Sequence, residues 1–226
     1  MILSIETSTT SCSVALHDQG HLIADQSYHV SQSHSGLLPT LIDQLLSNTG
    51  IGKSALQAVA LSEGPGSYTG LRIGSSIAKG LCYALDLPLI SISTLDILVE
   101  RVREMTRDDV LIAPMIDARR MEVFMKLVDR ENNELWSVRP LIIEESTFSA
   151  FPDKAIVLVG NGASKCRTVI QHEQVIYRDR LFPDARHMGE LAWACYVKKE
   201  FCDVAYYEPN YVKAFQTKSP RNRVTN

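Results

Sequence analysis

Three short stretches carry the side chains that could do chemistry. The longest, Ser62-Glu-Gly-Pro-Gly-Ser-Tyr-Thr-Gly-Leu-Arg-Ile-Gly74, follows the apolar run Ala58-Val-Ala-Leu61 and opens into a helical pattern. Glycines, hydroxyls and an arginine at a strand-to-helix turn have the makings of a phosphate cradle, because amides at a helix start attract anions. The second, ETSTTSCS at 6–13, is rich in hydroxyl and amide donors; the third, VGNGAS at 159–164, turns through glycines. Together Thr7 and Ser8 of one loop and Gly160 and Gly162 of the other could grip a nucleotide such as ATP or ADP. Neither loop is a strict fingerprint: the chain has no GxxxxGK[ST] and no GxGxxG. Plain strand-to-strand turns are the competing reading.

Other chemistries have less behind them. His17 and His21 stand four apart, but Asp18-Gln-Gly20 between them predicts a hairpin turn, so the pair flanks an exposed bend rather than a helical metal face. His29, His34, His172 and His187 show no ligand spacing, and HExxH and GxSxG are absent. Ser67 lies in the glycine loop without a nearby base. The five cysteines are scattered and odd in number, which fits free or buried thiols better than a disulfide framework.

The long motif also has a reading that needs no ligand. Gly64-Pro65-Gly66 makes a rigid, sharp exit from a strand, and Thr69 is a candidate N-cap. Gly70, Gly74 and Ala78 then fall at i, i+4 and i+8, a line of small side chains that lets another helix approach closely. A phosphate loop does not require smallness two turns into the helix, so packing is the preferred reading. Leu37, Leu38, Leu41, Ile42, Leu45 and Leu46 form a wide helical stripe. That stripe suits the chain's own core or an apolar surface for a partner, with Leu38, Leu41 and Leu45 as its centre.

The elements that must position these loops follow from periodicity. Strands are expected at 2–6, 11–18 and 21–30, a helix around 37–46 ended by Gly50, a strand at 56–63 and a helix at 70–85. A strand at 87–93 and a helix at 94–105, with Thr94 as N-cap, complete a βββαβαβα order. The second half reads as strands at 110–117, 122–129, 135–144 and 155–162, with an exposed turn at 129–134 and a helix at 187–200. No tandem repeat is visible. The expected division is a lobe at 1–106, a second at 107–215 and a mobile tail at 216–226. In that tail Lys218, Arg221 and Arg223 could meet RNA phosphates, with a solvated terminus as the plainer reading.

Composition sets the frame. The 226 residues are 45% hydrophobic and 22% charged, with net charge −3, so the whole molecule is no magnet for nucleic acid. No segment approaches a membrane span, no signal peptide is recognisable, and a cytoplasmic location is expected.

Taken in order, ILSIETSTTSCSVAL, ALSEGPGSYTGLRIG, LPLISISTLDIL, MIDARRMEVF and the late EPNYVKA resemble the TsaB family, also called YeaZ. The resemblance covers most of the chain and is densest in 1–125. It implies an α/β, actin-like (ASKHA, ribonuclease-H-like) two-lobed fold, each lobe a mixed sheet flanked by helices. It implies an accessory role in forming N6-threonylcarbamoyladenosine at position 37 of tRNAs that read codons beginning with A. The implied partners are the catalytic subunit TsaD and the ATPase TsaE, or a second copy when TsaD is absent, with tRNA met only through the complex. Helices 35–47 and 70–85 would form the dimer surface. The metal-binding HxxxH of catalytic relatives falls here on Thr94 and Leu98, which implies a non-catalytic chain with no metal of its own. The alternative is a stand-alone actin-like nucleotide hydrolase or kinase.

Overall fold

The computed structural model describes residues 1–29, 34–103, 105–106 and 109–212. The expected lobe boundary at 106/107 and the tail at 216–226 touch residues outside that set, as do Lys218, Arg221 and Arg223.

Three strands open the chain: β1 (Ile2–Glu6), β2 (Ser11–Asp18) and β3 (His21–His29). They pair antiparallel in sequence, and the β2–β3 turn places Gln19 and Gly20 at positive φ. Then come α1 (His34–Thr49), β4 (Ala58–Gly64), α2 (Tyr68–Leu85), β5 (Leu89–Ser93) and α3 (Thr94–Arg103). β4 joins β1, and β5 joins β4, both in parallel, so the first sheet runs β3-β2-β1-β4-β5. Gly50 ends α1 at φ +67°, as its position predicts. The N-cap of α2 is Ser67, whose hydroxyl accepts from the Gly70 amide, not Thr69. Thr94 is likewise the first residue of α3 rather than its cap, and its Oγ1 is buried without a hydrogen-bond partner.

The second half holds β6 (Leu111–Asp117), β7 (Glu122–Val128), β8 (Glu134–Ile142), β9 (Ile156–Val159), β10 (Val175–Arg178) and α4 (Gly189–Lys198). Its sheet runs β8-β7-β6-β9-β10, with two antiparallel pairings followed by two parallel ones. That is the first sheet's order and sense over again, a duplication with no trace in the sequence.

Alternation along the strands builds four apolar layers. Leu3, Ile5, Val14 and Leu16 face α1 and α2, while Ile2, Ala15, Ala58, Ala60 and Ile90 face α4. Ile112, Ile116, Val157 and Val159 face α3, while Ala113, Met115, Val123 and Met125 face Phe148, Cys166 and Ile170. α3 therefore lies between the two sheets, and α4 packs beside it on the same face of the first sheet. Lys126, 3% exposed, ties the layers together by pairing with Asp96 of α3 and donating to Asn132 of the β7–β8 turn. Among the described residues no helix is long and apolar enough to cross a membrane.

Candidate functional site

The glycine motif is built around the β1–β2 loop. A Cβ on Gly70 would stand 2.1 Å from the Thr7 carbonyl oxygen, and one on Gly74 would stand 2.3 Å from Thr7 Oγ1. Gly66 is as close to Ser8, with 2.4 Å to its carbonyl oxygen. Thr7 Oγ1 donates to the Gly70 carbonyl at 2.9 Å, and the Ser67 amide donates to the Ser8 carbonyl at 2.6 Å. The small ridge thus admits a loop of the same chain, not a neighbouring helix. Gly70, Gly74 and Ala78 are buried, and so are Leu38, Leu41 and Leu45. These six residues are turned inward and offer a partner nothing.

The nucleotide-loop residues are also packed. Thr7 and Ser8 are each 1% exposed beneath α2. A Cβ on Gly160 would meet the Met115 carbonyl at 2.3 Å and Leu98 Cδ1 at 2.9 Å, and one on Gly162 would meet the backbone of Ile116 at 3.0 Å and of Met115 at 3.1 Å. The two loops are therefore occupied by different parts of the chain, α2 in one case and β6 in the other. Leu98 and Thr94 are fully buried, Leu98 within the apolar layer of α3.

Polar groups are buried here too. The Ser8 amide donates to Glu6 Oε1, while Oε2 makes no hydrogen bond; burial pushes the carboxyl up to about 7. His17 is not at an exposed bend. It is 1% exposed, its Nδ1 is 3.1 Å from Ser4 Oγ, and its Nε2 is 3.2 Å from the Arg186 carbonyl; burial lowers its pKa. Burial, reinforced by the nearby Arg101 charge, holds His187 down at about 4. All five cysteines are free, and burial raises Cys12, Cys82 and Cys166 to about 11, leaving neutral thiols.

The open feature lies on the other flank of the same helices. Between α1 and α2 runs a mostly apolar groove of about 420 Å³, lined by Pro39, Tyr68, Arg72, Ile73, Ser76 and Ile77 among others. Further along α2, Tyr83 is 89% exposed. Sequence reasoning named these two helices, but the residues it chose on them face inward. Ile73 and Ile77 at i, i+4 and Ser76 between them were the available signal. Residues 202–212 pass along α2: Lys79 Nζ donates to the carbonyls of Ala205 and Tyr207 at 3.0 and 3.2 Å, and the Asn210 amide to that of Glu63. Gly64, at φ +114°, is where the chain must be bare, because a Cβ would lie 2.4 Å from the Asn210 carbonyl.

Comparison with known proteins fits this architecture. A family model described as TsaD, tRNA N6-adenosine threonylcarbamoyltransferase, matches residues 26–138. The tRNA threonylcarbamoyladenosine biosynthesis protein TsaB of Haemophilus influenzae is 31% identical, with 94% of this chain and 93% of that protein covered. The Escherichia coli TsaB is also 31% identical, with 94% of each covered. The solved YeaZ of Pseudomonas aeruginosa superposes with a TM-score of 0.80 at 27% identity, covering 93% of this chain and 98% of that one. The activator of the 2-hydroxyisocaproyl-CoA dehydratase from Clostridium difficile shares the fold alone, with a TM-score of 0.50 at 12% identity over 89% of this chain and 97% of its own. The fold is the actin-like one, and the chain belongs to the TsaB family, also called YeaZ.

Proposed function

We propose that the chain is a non-catalytic subunit in the formation of N6-threonylcarbamoyladenosine on tRNA, and that it holds a TsaD-type catalytic subunit on the exposed flank of α1 and α2. The reading rests on the names its relatives carry and on one observation, the apolar groove between those helices. Exposed apolar surface of this kind marks interaction sites. Supporting the non-catalytic part, Thr94 and Leu98 are sealed in the interior, where a metal-binding histidine pair would need access to substrate. The subunit works in the cytoplasm and meets tRNA through the complex; TsaE joins the larger assembly, and a second copy takes the groove when TsaD is absent.

The test is co-elution with TsaD. Ile73→Glu places a charge in the groove wall, and the variant should keep its fold and lose TsaD. Undiminished co-elution would show that the partner sits elsewhere. Tight ATP binding with turnover by the purified chain alone would overturn the non-catalytic part.

A further inference from the structure

Arg72 is the one cation in the glycine motif, yet it points away from the loops that suggested phosphate. It stands exposed on the outer flank of α2, at the lip of the groove. Its Cζ lies 4.5 Å above the centre of the Tyr68 ring. Tyr68 in turn packs on Tyr211, with ring centroids 4.7 Å apart. Arg72 Nε donates to Tyr211 Oη at 3.4 Å. The guanidinium is thus steadied by two tyrosines, one of them Tyr211, 139 positions away from Arg72 in sequence. No carboxylate forms an ion pair with it among the described residues, and no acceptor there takes up its terminal N–H groups.

Tyr211 reaches this place because residues 202–212 are fastened along α2. The Cys202 amide donates to the Leu89 carbonyl, Asp203 accepts from the amides of Ala205 and Tyr206, and Lys79 and Glu63 hold the next turn. Residues 208–212 of this stretch belong to the late Tyr-containing segment of the sequence, for which the groove alone gives no purpose.

We infer that Arg72, braced by Tyr68 and Tyr211, is the anchor that receives a carboxylate of the TsaD-type partner at the rim of the groove. The inference rests on the groove reading above. A guanidinium pairs with carboxylate through two parallel N–H···O bonds, and its stacked face is a preference that lysine lacks. A free surface arginine loses side-chain freedom on docking; this one is already held, so less is lost. Ile73, Ile77 and Pro39 beside it would exclude water once a partner helix settles. The neighbouring strap then has a role: it supplies the acceptor that fixes Nε and leaves the outer edge of the guanidinium for the partner.

The experiment is a Kd series with purified TsaD and the full chain as wild type, Ile73→Glu, Arg72→Gln, Arg72→Lys and Tyr211→Phe. Melting of each isolated chain is followed in parallel. Arg72→Gln should weaken binding about tenfold or more and flatten its salt dependence, with melting unchanged. Arg72→Lys should not restore it. Tyr211→Phe keeps the ring and loses the acceptor, so it should weaken binding about threefold to tenfold. If Arg72→Gln binds like wild type while Ile73→Glu does not, the groove stands and the anchor is refuted. Full rescue by Arg72→Lys refutes the bidentate carboxylate. If Ile73→Glu also binds like wild type, the groove reading fails first and takes the anchor with it.

Discussion

Three glycines on one helix should respond to alanine in three different ways. Gly80, Gly74 and Gly70 all lie in α2, so the backbone effect of replacing glycine is shared: a gain of about 0.5–1 kcal/mol from lower unfolded-state entropy. At Gly80 nothing stands within 4 Å of the new Cβ, and that gain should appear undiminished. At Gly74 the Cβ meets Thr7 Oγ1 at 2.3 Å. The hydroxyl can rotate away, but it then abandons the Gly70 carbonyl in the interior. Losing that buried hydrogen bond costs about 1–3 kcal/mol and overpacking about as much again, so the net is a destabilisation of about 1–5 kcal/mol. At Gly70 the obstacle at 2.1 Å is the Thr7 carbonyl itself, which cannot rotate. The whole β1–β2 loop must shift, and the loss should exceed that at Gly74, at about 3 kcal/mol or more. Urea denaturation of the isolated chains reads all three, with an unchanged m-value confirming that midpoints report stability. If Gly70→Ala and Gly74→Ala are as stable as Gly80→Ala and lose only TsaD, the ridge faces the partner and the inward packing argued above is wrong.

Three further outcomes follow from buried polar groups. Glu6 stands at about 7 in the folded chain against 4.5 ordinarily, so between those values the folded state keeps a proton that the unfolded state releases. Its contribution to stability therefore falls as pH rises, by about 3 kcal/mol across the window. Glu6→Gln should match wild type near pH 4 and become the more stable above pH 7, and parallel stability profiles would count against it. His187 has the opposite sign: with its folded pKa at about 4 against 6.5, its contribution is present above 6.5 and lost as pH falls toward 4. Its ring resonances should titrate near pH 4, and a midpoint near 6.5 would contradict the burial. Asp96→Ala leaves the Lys126 ammonium buried with Asn132 and a Glu134 oxygen 3.8 Å away, and should cost about 3 kcal/mol. Lys126→Met should cost clearly less by thermal melting; equal losses would mean that the ion pair does not set the balance.

What was legible in the sequence was what local physics decides. Alternation marked β2, and the 3.6-residue stripe marked α1, because each buries one face. The short β10 was missed: Val175–Arg178 is four residues long and only half-buried, so it has no pattern to show. The caps were misplaced because Ser67 and Thr69 have the same chemistry two residues apart, and only the turn geometry chooses between them. The small ridge was found but its neighbour was not. Glycine at i, i+4 announces that some backbone comes close, and a loop meets that condition as well as a helix. Arg72 with Tyr211, and His17 with Ser4 and the Arg186 carbonyl, join residues that periodicity cannot relate.

The duplicated sheets also bear on why a partner would choose the first lobe. After β3 and β4 the chain builds α1 and α2 on the outer face of the first sheet. At the same two places in the second lobe it builds only turns over 143–155 and a 3-10 turn at Ser164–Thr168. Phe148, Cys166 and Ile170 still cover that sheet, so covering a sheet does not by itself require helices. A helix is needed where its second flank also has a use. In α2 the inward flank carries Gly70, Gly74 and Ala78, packed to backbone distance, while the outward flank carries Arg72, Ile73, Ser76 and Ile77 along the groove. Swapping small for large residues on the first flank must therefore harm folding before binding. On the second flank the proposed docking would reverse the order, and a variant such as Ile73→Glu tests whether folding and binding divide between the two flanks of this helix.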